Sequence, residues 1–136
     1  MSAVDVIDSY LGALPGETRR LAHAEWGLTV QAEAAGGWPL DVGVRVADEL
    51  VRVQAFVAAA DPALDYGQLL HWNQQTRLVR FACARNGDIW VHGDVPVKGL
   101  DAKALDRLLG LVAEGAIAVR RYAAGERPSA GAGSGR

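Results

Sequence analysis

The sequence predicts an α+β domain with the element order α-β-β-β-α-β-β-α and a five-stranded antiparallel sheet. Three observations carry this expectation. Apolar residues recur at helical spacing near both ends, over residues 4–14 and 105–119. Between residues 26 and 57, three stretches alternate apolar and polar side chains with a period of two. An Asn86-Gly87 dipeptide then joins two further apolar runs, a strong short-range hairpin signal.

The first helix opens at Ser2, a capping residue with Asp5 in the capping-box position. Val4, Ile7, Leu11 and Leu14 form its stripe, and Pro15-Gly16 stops it. Residues 17–25 are polar and read as a connection. Trp26, Leu28, Val30 and Ala32 alternate with polar or small residues, as do Leu40, Val42, Val44 and Val46. Both apolar sets are even-numbered, so an antiparallel pair needs an odd loop, and Ala35-Gly36-Gly37 supplies one. The third strand, 50–57, has odd apolar positions, which requires an even loop at Asp48-Glu49. Asp61-Pro62 reads as a helix start, with the helix running from 62 to about 75. The second hairpin occupies 78–84 and 89–95. Asp101 caps a last helix over 102–123 with Leu105, Leu108, Leu109, Val112, Ala116 and Val119 inward. One domain is expected over residues 1–123. A disordered tail is expected over 124–136, where GERPSAGAGSGR has no apolar anchor.

Composition excludes several function classes. Half of the 136 residues are hydrophobic and 22% are charged, the profile of a soluble globular domain. Fourteen basic against sixteen acidic side chains give a net charge near −2, no footprint for nucleic acid or an anionic membrane. No apolar run approaches the roughly 20 residues of a membrane span. The first residues, MSAVDVIDSYLGAL, carry aspartates within the apolar run and do not read as a signal peptide. A single cysteine fits a reducing compartment, so a cytoplasmic location is expected.

Residues 69–96, LLHWNQQTRLVRFACARNGDIWVHGDVP, hold the most reactive-looking side chains. A two-residue turn at Asn86-Gly87 would set Cys83 opposite Trp90, Phe81 opposite His92 and Val79 opposite Asp94. Cys83 and His92 would then be diagonal neighbours, with Asp94 nearby, as in a thiolate–imidazole site. Mid-strand placement between Ala82 and Ala84 argues instead for Cys83 as a small hydrophobe. Leu78, Ala82, Ala84, Ile89, Val91 and Val95 would share the other face. Both faces would be apolar, so something must cover the second one: a helix of this chain, a second subunit, or a ligand. Trp72, Val79, Phe81 and Trp90 are therefore the candidate partner or dimer contacts.

Other constellations are weaker. His23, His71 and His92 lack metal-ligand spacing. The carboxylates sit in turns, caps and strand faces, and no glycine-rich stretch has phosphate-loop spacing. Arg77, Arg80 and Arg85 beside Trp72 and Phe81 form a short basic–aromatic strip, flanked by Asp88 and Asp94. No cofactor, metal, nucleic acid or membrane partner is expected.

The run from Leu69 to Val112 resembles the C-terminal half of the YbjN-domain family of bacterial proteins. The likeness rests on Leu69, Leu70 and Asn73, on the hairpin core, on Asp94-Val95-Pro96, and on Gly99-Leu100 before the Leu-rich helix. That family is similar in fold to type III secretion chaperones, which are dimers that bind extended partner segments and perform no chemistry. Its members are described as regulators of sensory or stress responses. The resemblance implies a non-enzymatic, dimeric, protein-binding module, chaperone-like or regulatory. A small-ligand sensor with a pocket between sheet and helices is the alternative. An enzyme using Cys83 and His92 stands behind both.

Overall fold

A computed structural model describes residues 2–125. The elements are α1 (Ala3–Gly12), β1 (Glu17–Ala22), β2 (Glu25–Val30), β3 (Leu40–Ala47), β4 (Leu50–Ala58), α2 (Tyr66–Trp72), β5 (Val79–Cys83), β6 (Ile89–Pro96) and α3 (Ala102–Ala123). The strands form one antiparallel sheet in the order β1-β2-β3-β4-β6-β5. The architecture is α+β as expected, with six strands in place of five. The tail expected from residue 124 falls, from 126 onward, outside the described residues.

The extra strand is β1, which the polar stretch ETRRLA had suggested to be a connection. It pairs with β2 from Glu17↔Thr29 to Ala22↔Glu25. As an edge strand with almost every side chain in water, it carries no apolar alternation to betray it. The Ser2–Asp5 capping box forms: Ser2 Oγ accepts from Asp5 N–H at 3.1 Å, and Asp5 Oδ2 accepts from Ser2 N–H at 3.3 Å. Loop parity holds at both N-terminal connections. Trp26, Leu28 and Val30 pair with Val44, Val42 and Leu40 on the core face. The loop between them spans 31–39, however, because a 3-10 turn over Ala32–Ala34 ends the alternation early. Asp48 and Glu49 form the two-residue turn with φ of 54° and 63°.

The helix expected from Pro62 starts later. Asp61 accepts from Ala63 N–H at 2.8 Å and closes a local turn. Asp65 then caps α2, accepting from Gln68 N–H at 3.2 Å. Helix α3 matches its expected span, with Asp101 accepting from Ala104 N–H at 2.8 Å.

All three helices lie on one side of the sheet, where the core is continuous. Ile7 and Leu11 of α1, and Leu105, Leu108, Val112, Ala116 and Val119 of α3, pack on Val51, Val53, Val79, Phe81, Ile89 and Val91. The opposite, outer face presents Gly27, Thr29, Gly43, Arg45, Arg52, Gln54, Phe56, Arg80, Trp90, His92 and Asp94. No element among the described residues covers it. Arg120 of α3 is the one buried charged side chain among the described residues. Its Nη1 donates to the Ala35 and Trp38 carbonyls at 2.7 and 2.6 Å, and its Nη2 to the Pro39 carbonyl at 3.0 Å.

Candidate functional site

The second hairpin decides the site, and its register corrects the sequence expectation. The pairs are Cys83↔Ile89, Ala82↔Trp90, Phe81↔Val91, Arg80↔His92 and Val79↔Gly93. Ala84 N–H donates to the Asp88 carbonyl at 2.8 Å, and Gly87 N–H to the Ala84 carbonyl at 2.9 Å. The loop is therefore Arg85-Asn86-Gly87, with Gly87 at φ +94°. It is a three-residue turn with glycine in the left-handed position, not a two-residue one. The tip is also held from outside: Tyr66 O–H donates to the Gly87 carbonyl at 2.6 Å, and Asp88 Oδ1 accepts from Ala60 N–H at 3.0 Å.

A one-residue slip exchanges the faces of one strand relative to its partner. Val79, Phe81, Ile89 and Val91 share the core face, while Trp90, His92 and Asp94 share the outer face with Arg80 and Ala82. Two expectations fall with it. The outer face of this hairpin is mixed, not apolar. Cys83 and His92 are not diagonal neighbours; they point to opposite sides of the sheet. Cys83 is exposed, and its Sγ contacts the Ala84 carbonyl at 3.3 Å. His92 sits half-buried beside Trp90, ring centroids 6.3 Å apart. Burial lowers its pKa, Arg52 and Arg80 lower it further, and Asp94 opposes them. Asp94 accepts from Arg52 Nε and Nη2 at 2.7 and 3.2 Å and from Arg80 Nη2 at 3.0 Å. Those bonds hold its carboxyl below the usual carboxylate range.

Three of the four candidate contact residues meet at one place. Trp72, Val79 and Phe81 line an open groove of about 410 Å3 between the end of α2, strand β5 and helix α3. Its α3 wall is Leu111, Gly115 and Ala118, and Arg77 and Glu114 stand at its rim. The groove exists because α3 presents small residues there: a Cβ on Gly115 would lie 3.4 Å from Phe81 Cε1. Trp72 is wedged between Phe81 and Tyr122, centroids 6.1 and 5.4 Å away. On the other side of Phe81, Tyr66, Leu69, Leu70, Cys83 and Ile89 enclose a second hollow of about 240 Å3. Trp90, the fourth candidate, is not part of this surface; it packs edge-on against Phe56 on the outer face at 5.8 Å.

Two exposed leucines flank the same edge and escaped the sequence reading. Leu70 is 69% exposed and Leu78 45%, the latter at φ +62°, a left-handed conformation unusual for leucine. The Leu69-Leu70 doublet held a signal, since a seven-residue helix on a surface buries one of two adjacent residues and leaves the other out. Phe56 was legible too, as a large apolar side chain out of phase with Val51, Val53, Ala55 and Val57.

Among the described residues no group of three His, Cys, Asp or Glu side chains is placed to hold a metal ion, and no helix is long and apolar enough to cross a membrane. The family described as "Putative bacterial sensory transduction regulator", YbjN, matches residues 21–123. No curated protein matches the chain. Among solved structures, a chain of the HopA1–SchA chaperone–effector complex is similar with a TM-score of 0.68 and 10% identity, covering 86% of this chain and 91% of that one. YbjN from E. coli follows at 0.65 and 12%, covering 88% and 93%. A chain of the heterodimeric ExoU–SpcU complex of the Pseudomonas aeruginosa type III secretion system stands at 0.61 and 21%, covering 84% and 94%. At such identities the likeness is one of fold.

Proposed function

Because this chain belongs to the YbjN family, we infer that it is a non-enzymatic protein-binding module, chaperone-like or regulatory, that works as a cytoplasmic dimer and holds segments of partner proteins. The observation that carries this reading is the apolar surface along the β5 edge. Trp72, Val79 and Phe81 line its groove, and Leu70 and Leu78 stand exposed beside it. Exposed aliphatic side chains contiguous with a half-open aromatic groove mark contact surfaces more often than isolated ones do. The similar folds in chaperone–effector complexes support the same class of activity. The separation of Cys83 from His92 supports a reading without thiolate chemistry.

In this reading the β5 edge joins two copies of the chain. Sedimentation velocity at tens of micromolar tests it: the parent sediments as a dimer. Leu70→Glu and Ala118→Arg, both at exposed positions, sediment as monomers with unchanged thermal midpoints. A parent that remains monomeric overturns the dimer.

A small-ligand sensor is the second reading, favoured by one observation: about 410 Å3 is within the size range of small-molecule sites. That groove opens where α2 and α3 meet β5 at one end of the helical side of the sheet, while the middle of that side is filled by the core around Val53, Val91, Leu108 and Val112. A thermal-shift screen of common metabolites that moves the parent but not Ala118→Arg would favour the sensor.

A further inference from the structure

The two walls of the β5-edge groove carry opposite charges. Arg77 stands on the connection from α2 to β5 and Glu114 on α3, with the groove between them. Both side chains are exposed. Among the described residues neither forms an ion pair, whereas Arg52 and Arg80 on the neighbouring face share Asp94. The floor between the two charges is apolar, made by Trp72, Val79, Phe81 and Leu111.

The edge itself restricts what fills this groove. Asn73 occupies both backbone groups of Phe81, so an added strand finds no hydrogen-bond partner at that residue. An occupant must bring side chains, and the same edge carries suitable ones. Leu78 is 45% exposed and held at φ +62°. Left-handed backbone is costly for a bulky residue, and such strain concentrates where a contact depends on it.

One edge therefore holds a hollow, an apolar knob beside it, and one unpaired charge of each sign. A surface that carries both halves of each contact is complementary to a copy of itself across a two-fold axis. An axis passing over the groove brings Arg77 of each chain towards Glu114 of the other. It brings Leu78 towards the other chain's α3 wall at Leu111 and Ala118. Each contact is then made twice.

We propose that a second copy of this chain fills the groove by two-fold exchange: Arg77 of each copy pairs with Glu114 of the other, and Leu78 of each lies against the α3 wall of the other. Neither groove is complete without the residues of its twin. The proposal rests on the dimeric reading above and adds which side chains meet and by what symmetry. A single exposed ion pair contributes little. Reversing one charge, however, turns both symmetry-related pairs into like-charge contacts.

Arg77→Glu and Glu114→Arg are made separately, and association is measured by sedimentation at low ionic strength, where exposed charges are least screened. Each variant alone associates at least about tenfold more weakly than the parent, with an unchanged thermal midpoint. Mixed in equal amounts, with one of them fluorescein-labelled, they form a heterodimer as tight as the parent dimer. One chain then brings two carboxylates and the other two guanidinium groups. A chain carrying both reversals also dimerises like the parent. Leu78→Gly suits the left-handed φ, so its thermal midpoint holds or rises while its association weakens by roughly the same factor of ten. A mixture no tighter than its separate components overturns the proposal, as does a Leu78→Gly chain that associates like the parent. If the parent dimerises and both charge variants do so equally well, this arrangement fails and the dimer stands; an ion pair closed within one chain gives that result. If the parent stays monomeric, the dimeric reading fails and the proposal with it.

Discussion

The side chain of Asn73 completes both backbone hydrogen bonds of Phe81. Its Oδ1 accepts from Phe81 N–H at 2.8 Å, and its Nδ2 donates to the Phe81 carbonyl at 3.2 Å. One amide thus substitutes for a neighbouring strand at the free edge of β5. It also fixes the end of α2, for which Asn73 is the C-cap, against the groove wall. An edge left open at this point would invite another strand, so the contact shapes the site and guards it.

Asn73→Ala removes both partners from a part-buried backbone pair. The expected cost is about 1–3 kcal/mol, read from urea unfolding. Asn73→Asp loses the donor and sets a carboxylate oxygen against the Phe81 carbonyl, so it does no better. A loss below a few tenths of a kcal/mol in both variants would show that water replaces the amide freely.

Gly93 lies on the core face of β6 beneath α3. A Cβ there would lie 2.6 Å from Leu108 Cδ1, 2.9 Å from Val79 Cγ1 and 3.1 Å from the Leu78 carbonyl oxygen. Gly93→Ala therefore forces α3 away from the sheet or shifts β5. The expected cost is about 1–3 kcal/mol, and Gly43→Thr on the outer face is the control that should cost nothing. Paired thermal melts decide the comparison.

Arg120 holds the 35–39 loop through three carbonyls, and its guanidinium lies 5.0 Å from the Trp38 ring centroid. Arg120→Met keeps the stem and deletes the donors. We expect a loss of roughly 1–3 kcal/mol, because buried carbonyls are left unpaired, and a change in Trp38 emission. An unaltered melting curve would mean that the loop rehydrates at no cost.

The depressed pKa of His92 makes stability depend on pH. The folded protein binds this proton less readily than the unfolded chain does, so stability rises with pH. The contribution is complete above the unfolded value near 6.5 and is lost as pH falls from there through the lower folded value. Asp94 acts in the same direction at more acidic pH: its contribution is present above the ordinary aspartate value of 3.8 and is lost as pH falls through the depressed folded value. Unfolding curves between neutral and mildly acidic pH should therefore weaken for the parent and much less for His92→Gln. Parallel curves would assign the dependence elsewhere.

Particular residues show what the sequence could and could not reveal. The parity of the apolar sets around Val30–Leu40 and Ala47–Leu50 placed three strands on the correct faces, because burial on one side alone sets that register. Strand β1 was hidden since neither of its faces is buried, and solvent imposes no pattern on such an edge. The Asn86-Gly87 signal was right about a hairpin and wrong about its loop. Glycine can fill a position of a two-residue turn or the left-handed position of a three-residue one. That single ambiguity put Trp90 on the face of Phe81 and created a Cys83–His92 pairing, and the fold has neither. The groove itself depends on how α3 crosses β5, and no local pattern specifies that crossing.

The β5 edge as the meeting surface of two chains is tested most directly by the reactivity of Cys83, which is exposed and lines the hollow beside Leu70. Its modification rate by a thiol reagent is measured in the folded protein across a concentration series spanning nanomolar to tens of micromolar. The account predicts that the rate falls as protein concentration rises, and that Leu70→Glu restores the fast rate throughout. A rate independent of concentration in the parent would contradict it.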